Sequence, residues 1–120
     1  MNEYIELLRD NFNHEKIINF IFDKELKYII NRVIDERPSY LEIDCKSYRD
    51  YLIDTYKQIN TYKTNKKYEL TDKIIENIIS TFIENNFYVQ QYNYQQNIKN
   101  INELIPIFNI TKIKISGWSI

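Results

Sequence analysis

Between Thr71 and Val89 the chain reads TDKIIENIISTFIENNFYV, and its apolar residues Ile74, Ile75, Ile78, Ile79, Phe82 and Ile83 recur four apart in two rows. On a helix those rows merge into one stripe, with Lys73, Glu76, Asn77, Ser80, Thr81, Glu84 and Asn85 on the other side. Thr71 can cap the start, Asp72 suits the positive end of the helix dipole, and Asn85 and Asn86 suit a left-handed end. The pattern therefore predicts a helix of about sixteen residues, roughly 24 Å long. Such a helix is stable only when its stripe is buried against other elements.

Upstream, Asn2 to Phe12 reads as a short helix. A second is expected from a cap at Asn13 to about Asp35, with apolar positions on more than one face of its first half. A helix of that kind is central or covered by a second subunit. Arg37-Pro38 predicts a break with an extended residue before the proline. Ser39 to Ile43 has the length and alternation of a strand. Asp44 can cap a third helix over about Cys45 to Tyr62, in which Tyr48, Tyr51, Leu52, Tyr56, Ile59 and Tyr62 recur at helical spacing. Lys63 to Tyr68 reads as a polar loop before the Thr71 helix.

Downstream, Phe87 to Tyr94 alternates like a strand, and so does Ile110 to Trp118, with Ile113 and Ile115 opposite Lys112 and Lys114. Gln95 to Asn109 reads as a long connection with a helical turn near Asn102 to Ile105, closed by Pro106. The expected fold class is α+β. The N-terminal two-thirds supplies about four helices, packed on a small C-terminal sheet of two or three strands, in a single domain over residues 1–120.

Composition changes this picture in two respects. The chain has no alanine and a single glycine, but 23 isoleucines, 15 asparagines and 11 tyrosines. The favoured residues have AT-rich codons, which points to a virus, phage, mobile element or low-GC bacterium and makes tyrosine and lysine clusters less informative than usual. The net charge of −1 removes any overall steering toward nucleic acid or an anionic membrane. The apolar run from Ile17 to Ile34 is interrupted by charges and is no membrane span. One cysteine and an acidic start without a secretory signal fit a reducing cytoplasm.

Candidate chemistry is sparse. With Phe87, Val89, Ile113 and Ile115 turned to the helices, Tyr88, Tyr92, Tyr94, Lys112 and Lys114 share the outer face of the sheet. Aromatic anchors beside lysines suit a protein partner, and less well a single-stranded nucleic acid; an ordinary half-exposed sheet is the competing reading. Lys63, Lys66, Lys67 and Lys73 lie around a turn between two helices, a layout with the general form of a winged helix-turn-helix. That turn is longer than usual, and arginine is absent after Arg49. Glu42-Ile43-Asp44-Cys45-Lys46, with Asp35 upstream, has the Asp-x-Lys spacing of the PD-(D/E)xK nucleases, but a capping role explains Asp44 more simply. His14 has no second histidine to share a metal or a triad, Cys45 has no histidine neighbour in sequence, and Gly117 alone cannot build a phosphate loop. Trp118 is read as closing the core.

The expectation is a non-enzymatic protein without metal or cofactor. It would act by protein–protein binding, as an inhibitor of a host factor for example. A winged-helix-like DNA-binding regulator and a self-assembling structural protein, including a homodimer, are the alternatives.

Overall fold

A computed structural model describes residues 3–93, 98–99 and 110–118. In chain order these form α1 (Glu3–Glu36), β1 (Leu41–Asp44), α2 (Cys45–Thr55), α3 (Lys57–Asn60), α4 (Thr64–Glu84), β2 (Tyr88–Tyr92), β3 (Ile98–Lys99) and β4 (Lys112–Ser116). The α+β class holds: three strands of four or five residues, with the two-residue β3 at one edge, make an antiparallel sheet of order β1-β4-β2-β3.

The two expected N-terminal helices are one. Asn13 lies inside α1, because a capping residue permits a helix start without imposing one, and neither glycine nor proline interrupts Glu3 to Glu36. At 34 residues α1 is roughly 51 Å long, close to the 56 Å longest dimension of the molecule. It buries Ile18, Ile21, Glu25 and Ile29, a helical stripe with one carboxylate inside it. The His14 ring meets Tyr62 edge-on at 5.2 Å, tying α1 to the chain just before α4. At its end Arg37 adopts φ +49°, with its N–H on the Val33 carbonyl at 2.9 Å. The helix thus closes on a left-handed residue rather than the extended one expected before Pro38.

The expected third helix divides at Tyr56, whose extended backbone (φ −108°, ψ 108°) separates α2 from the single turn of α3. Asp44 caps α2 as expected, its Oδ1 accepting the Ser47 N–H at 2.9 Å. The presumed loop from Lys63 to Tyr68 is mostly helix. Lys63 stands at the N-cap of α4 and Thr64 begins it, seven residues ahead of Thr71.

From Leu70 to Ile83 only Lys73 is exposed, so α4 is the central element. It packs on α1, α2, α3 and β2. Its apolar stripe is buried as the spacing requires, and Asn86 terminates it at φ +64°. Arg49 of α2 donates through Nε and Nη2 to Asp72 Oδ1 at 3.2 and 2.7 Å, joining α2 to α4.

Leu41 and Ile43, Val89 and Gln91, and Ile113 and Ile115 form the buried face of the sheet. Val89 stands against Ile115 and Gln91 against Ile113, while Leu41 and Ile43 face the same two isoleucines from the other side. Trp118 packs against this core beside Phe87, and its Nε1–H donates to the Pro38 carbonyl at 2.7 Å. Gly117 makes the turn to Trp118 at φ +105°, and a Cβ there would lie 3.3 Å from the Tyr88 nitrogen. Gly117→Ala is therefore expected to cost about 1–3 kcal/mol in urea unfolding. An unchanged midpoint would show that the turn relaxes freely.

Candidate protein-binding face and an adjoining cleft

The outer face of the sheet is built by strand alternation. Tyr88, Gln90 and Tyr92 of β2 alternate with buried residues, as do Lys112, Lys114 and Ser116 of β4 and Glu42 and Asp44 of β1. Register sets Glu42 and Gln90 on either side of Lys114, and Asp44 and Tyr92 on either side of Lys112. Four of the five residues expected on this face, Tyr88, Tyr92, Lys112 and Lys114, thus come together. Tyr94 lies outside the described residues, as does the expected helical turn near Asn102 to Ile105.

Because β1 pairs with β4, the face also gains Tyr40, Glu42 and Asp44, which sequence reasoning did not assign to it. Lys114 Nζ sits 3.9 Å from the centroid of the Tyr40 ring, and Lys112 Nζ lies 3.4 Å from Glu42 Oε1. Both lysines therefore have local partners. Tyr40 and Tyr88 remain 46% and 44% exposed. The result is a mixed-charge, tyrosine-bearing surface.

The second group of lysines is less concentrated. Lys66 pairs with Glu69 at 3.3 Å, and Lys67 donates to Asn60 Oδ1 at 3.3 Å. Lys63 and Lys73 are exposed. Lys66 and Lys73 line an open groove of about 570 Å³ between α1 and α4, opposite His14, Glu15 and Ile18. Glu15 and Glu69 balance the two lysines there.

Sequence reasoning missed Glu25. It is 2% exposed, and three phenols converge on its carboxylate. Tyr48 donates to Oε1 at 2.5 Å, while Tyr56 and Tyr51 donate to Oε2 at 2.6 and 3.1 Å. All three hydroxyls are held protonated above their usual range. Burial is the first cause for each, followed by the hydrogen bond to Glu25 and its charge. The signal that could have found this cluster is positional. Glu25 falls on the stripe Ile18, Ile21, Ile29, and the tyrosines of the next helix recur at the spacing of its own inner face.

Beside this cluster a cleft of about 240 Å³ separates α1 from β1. Glu25, Tyr28 and Arg32 line one wall; Glu42, Asp44 and Tyr51 line the other.

The remaining candidates take structural roles. The Ser47 N–H lowers the carboxyl pKa of Asp44 at the cap. Cys45 is buried, and burial pushes its thiol up to about 12, so it is no thiolate at neutral pH. Among the described residues no group of three His, Cys, Asp or Glu side chains could hold a metal ion, and no helix is long and apolar enough to cross a membrane. The chain matches no protein family, no curated protein and no solved structure.

Proposed function

We propose that this protein works without catalysis, by binding another protein through the outer face of the sheet. The observation that carries the reading is the make-up of that face among the described residues. Tyr40, Tyr88 and Tyr92 stand beside Lys112 and Lys114, whose charges are already met by Glu42 and by the Tyr40 ring. Rigid aromatic side chains bury large areas at little entropic cost, and partnered lysines give register rather than general attraction to phosphate. The AT-rich coding bias supports an accessory protein of a virus, phage or mobile element. A cytoplasmic host factor, inhibited or redirected, is then the natural class of partner.

The DNA-binding alternative has less support. The helix before the turn, α3, is four residues long, and α4 shows only Lys73 between Leu70 and Ile83. Beyond its first turns, Thr64 to Glu69, such a helix has little free surface to enter a groove. The test is pull-down from lysate of the source organism followed by mass spectrometry, with Tyr88→Ala and Lys114→Glu as variants. One stoichiometric protein is expected, with recovery falling about tenfold or more in each variant, the size of a hot-spot loss. Recovery of nucleic acid alone, or of the same protein undiminished by both variants, would overturn the proposal.

A further inference from the structure

The cleft between α1 and β1 combines charge, aromatic walls and a free strand edge. Glu25, Glu42 and Asp44 line it with Arg32 as the one basic side chain of the lining; Arg32 is itself turned to Glu36 at 3.1 Å, and Lys112 meets Glu42 from the outer face at 3.4 Å. Among the described residues no basic side chain pairs with Glu25. A buried carboxylate held only by neutral phenols keeps its negative potential directed at whatever enters beside it. Tyr28, 60% exposed, and Tyr51, 40% exposed, flank the opening. Phenol faces beside carboxylates are the surroundings in which an organic cation is stabilised.

The backbone adds direction. The Cys45 N–H bonds to the Thr111 carbonyl at 3.0 Å, in register with Ile43 opposite Ile113 and Leu41 opposite Ile115. Residues 41, 43 and 45 therefore exchange hydrogen bonds with β4, and the N–H and C=O of Glu42 and the N–H of Asp44 turn to the open edge. Among the described residues β1 is the edge strand opposite β3, with its free side beside the cleft.

We infer that this edge receives an extended basic segment of a protein partner, pairing with β1 through Glu42 and Asp44 while one lysine or arginine side chain enters the cleft between Tyr28 and Tyr51. The inference rests on the protein-binding reading and names the partner's chemistry. Glu42 and Asp44 belong both to the cleft and to the outer face, so the two surfaces are continuous. Strand addition supplies affinity through main-chain bonds, and the acidic cleft supplies selection for the basic residue.

The test uses the full ¹⁵N-labelled chain and the peptide acetyl-Val-Lys-Val-amide, with norleucine in place of lysine as control. Saturable shifts are expected at the Glu42 and Asp44 amides, with the norleucine peptide about tenfold weaker. Glu42→Gln and Tyr28→Ala alter exposed side chains and are expected to weaken binding about threefold while the spectrum stays folded. Arg32→Ala removes the competing cation and is expected to strengthen it. Equal affinity for the norleucine peptide, shifts confined to other elements, or weakening by Arg32→Ala would overturn the inference. Those outcomes leave the partner's dependence on Tyr88 untouched. Loss of that dependence would remove the sheet-face proposal and leave the peptide's affinity for the cleft standing.

Discussion

Glu25→Ala is expected to destabilise the fold by about 2–6 kcal/mol, the cost of leaving two buried hydroxyls unpaired. The truncation leaves the Tyr48 and Tyr56 hydroxyls without their acceptor inside the protein, and each such loss costs roughly 1–3 kcal/mol. Tyr51 is half-exposed and can turn to water, so it adds little. The direction reverses when the donors go too. Glu25→Leu combined with Tyr48→Phe and Tyr56→Phe removes the carboxylate's desolvation together with its partners, and such replacements are often neutral or stabilising. Urea unfolding of the single and triple variants measures the coupling directly. A Glu25→Ala cost below about 1 kcal/mol would mean that the three phenols are satisfied without it.

The same cluster sets an alkaline limit. The Tyr48, Tyr51 and Tyr56 phenols are held above the ordinary value of 10.0 in the folded chain, by burial and by Glu25. The Cys45 thiol is raised from 9.0 to about 12 by burial. Unfolded, these groups release their protons at the ordinary values; folded, they keep them. Their contribution is therefore complete below pH 9 and is lost as pH rises above 9 for Cys45 and above 10 for the tyrosines. Thermal melts between pH 7 and pH 11 should show the decline, and Tyr48→Phe with Tyr56→Phe should flatten it above pH 10.

Ile79→Ala should cost about 2–5 kcal/mol, because this side chain is 0% exposed on the helix around which the others pack. Single domains hold about 5–15 kcal/mol in all, so the variant loses a large share of the total. Ile34→Ala makes the same chemical change at a residue 61% exposed on α1, and is expected to change stability by no more than about 0.5 kcal/mol. Equal losses at the two positions would place Ile34 under an additional surface, as in a dimer through α1, which light scattering would reveal.

Local signals are legible in the sequence, and their tertiary context is not. The stripe from Ile74 to Phe82 and the caps at Asp44 and Asn86 depend on neighbours within a few residues, and they stand where the pattern puts them. The pattern starts α4 at Thr71 rather than Thr64 because Thr64 to Tyr68 has no apolar stripe of its own. Tertiary contacts extend the helix there, with the Tyr68 ring 5.4 Å from the Arg49 guanidinium. The fusion of two expected helices into α1 has the same origin, since asparagine at position 13 is compatible with a cap and with a helix interior.

The site divides along that line. Alternation alone placed Tyr88, Tyr92, Lys112 and Lys114 on one face, since strand side chains point to opposite sides in turn wherever the strand lies. That β1 borders β4, adding Tyr40, Glu42 and Asp44, depends on pairing Ile43 with Ile113, which no local pattern encodes. By itself the sequence determined the α+β class, the apolar stripe of the central helix, the caps at Asp44 and Asn86 but not the starts expected at Asn13 and Thr71, and the two faces of β2 and β4, because periodicity and capping act over one or two turns. Only the tertiary structure decided the strand order, the meeting of Glu25 with three tyrosines from α2 and its C-cap, and the acidic cleft beside a free edge. Those features join segments far apart in the chain, and burial rather than residue type gives them their chemistry.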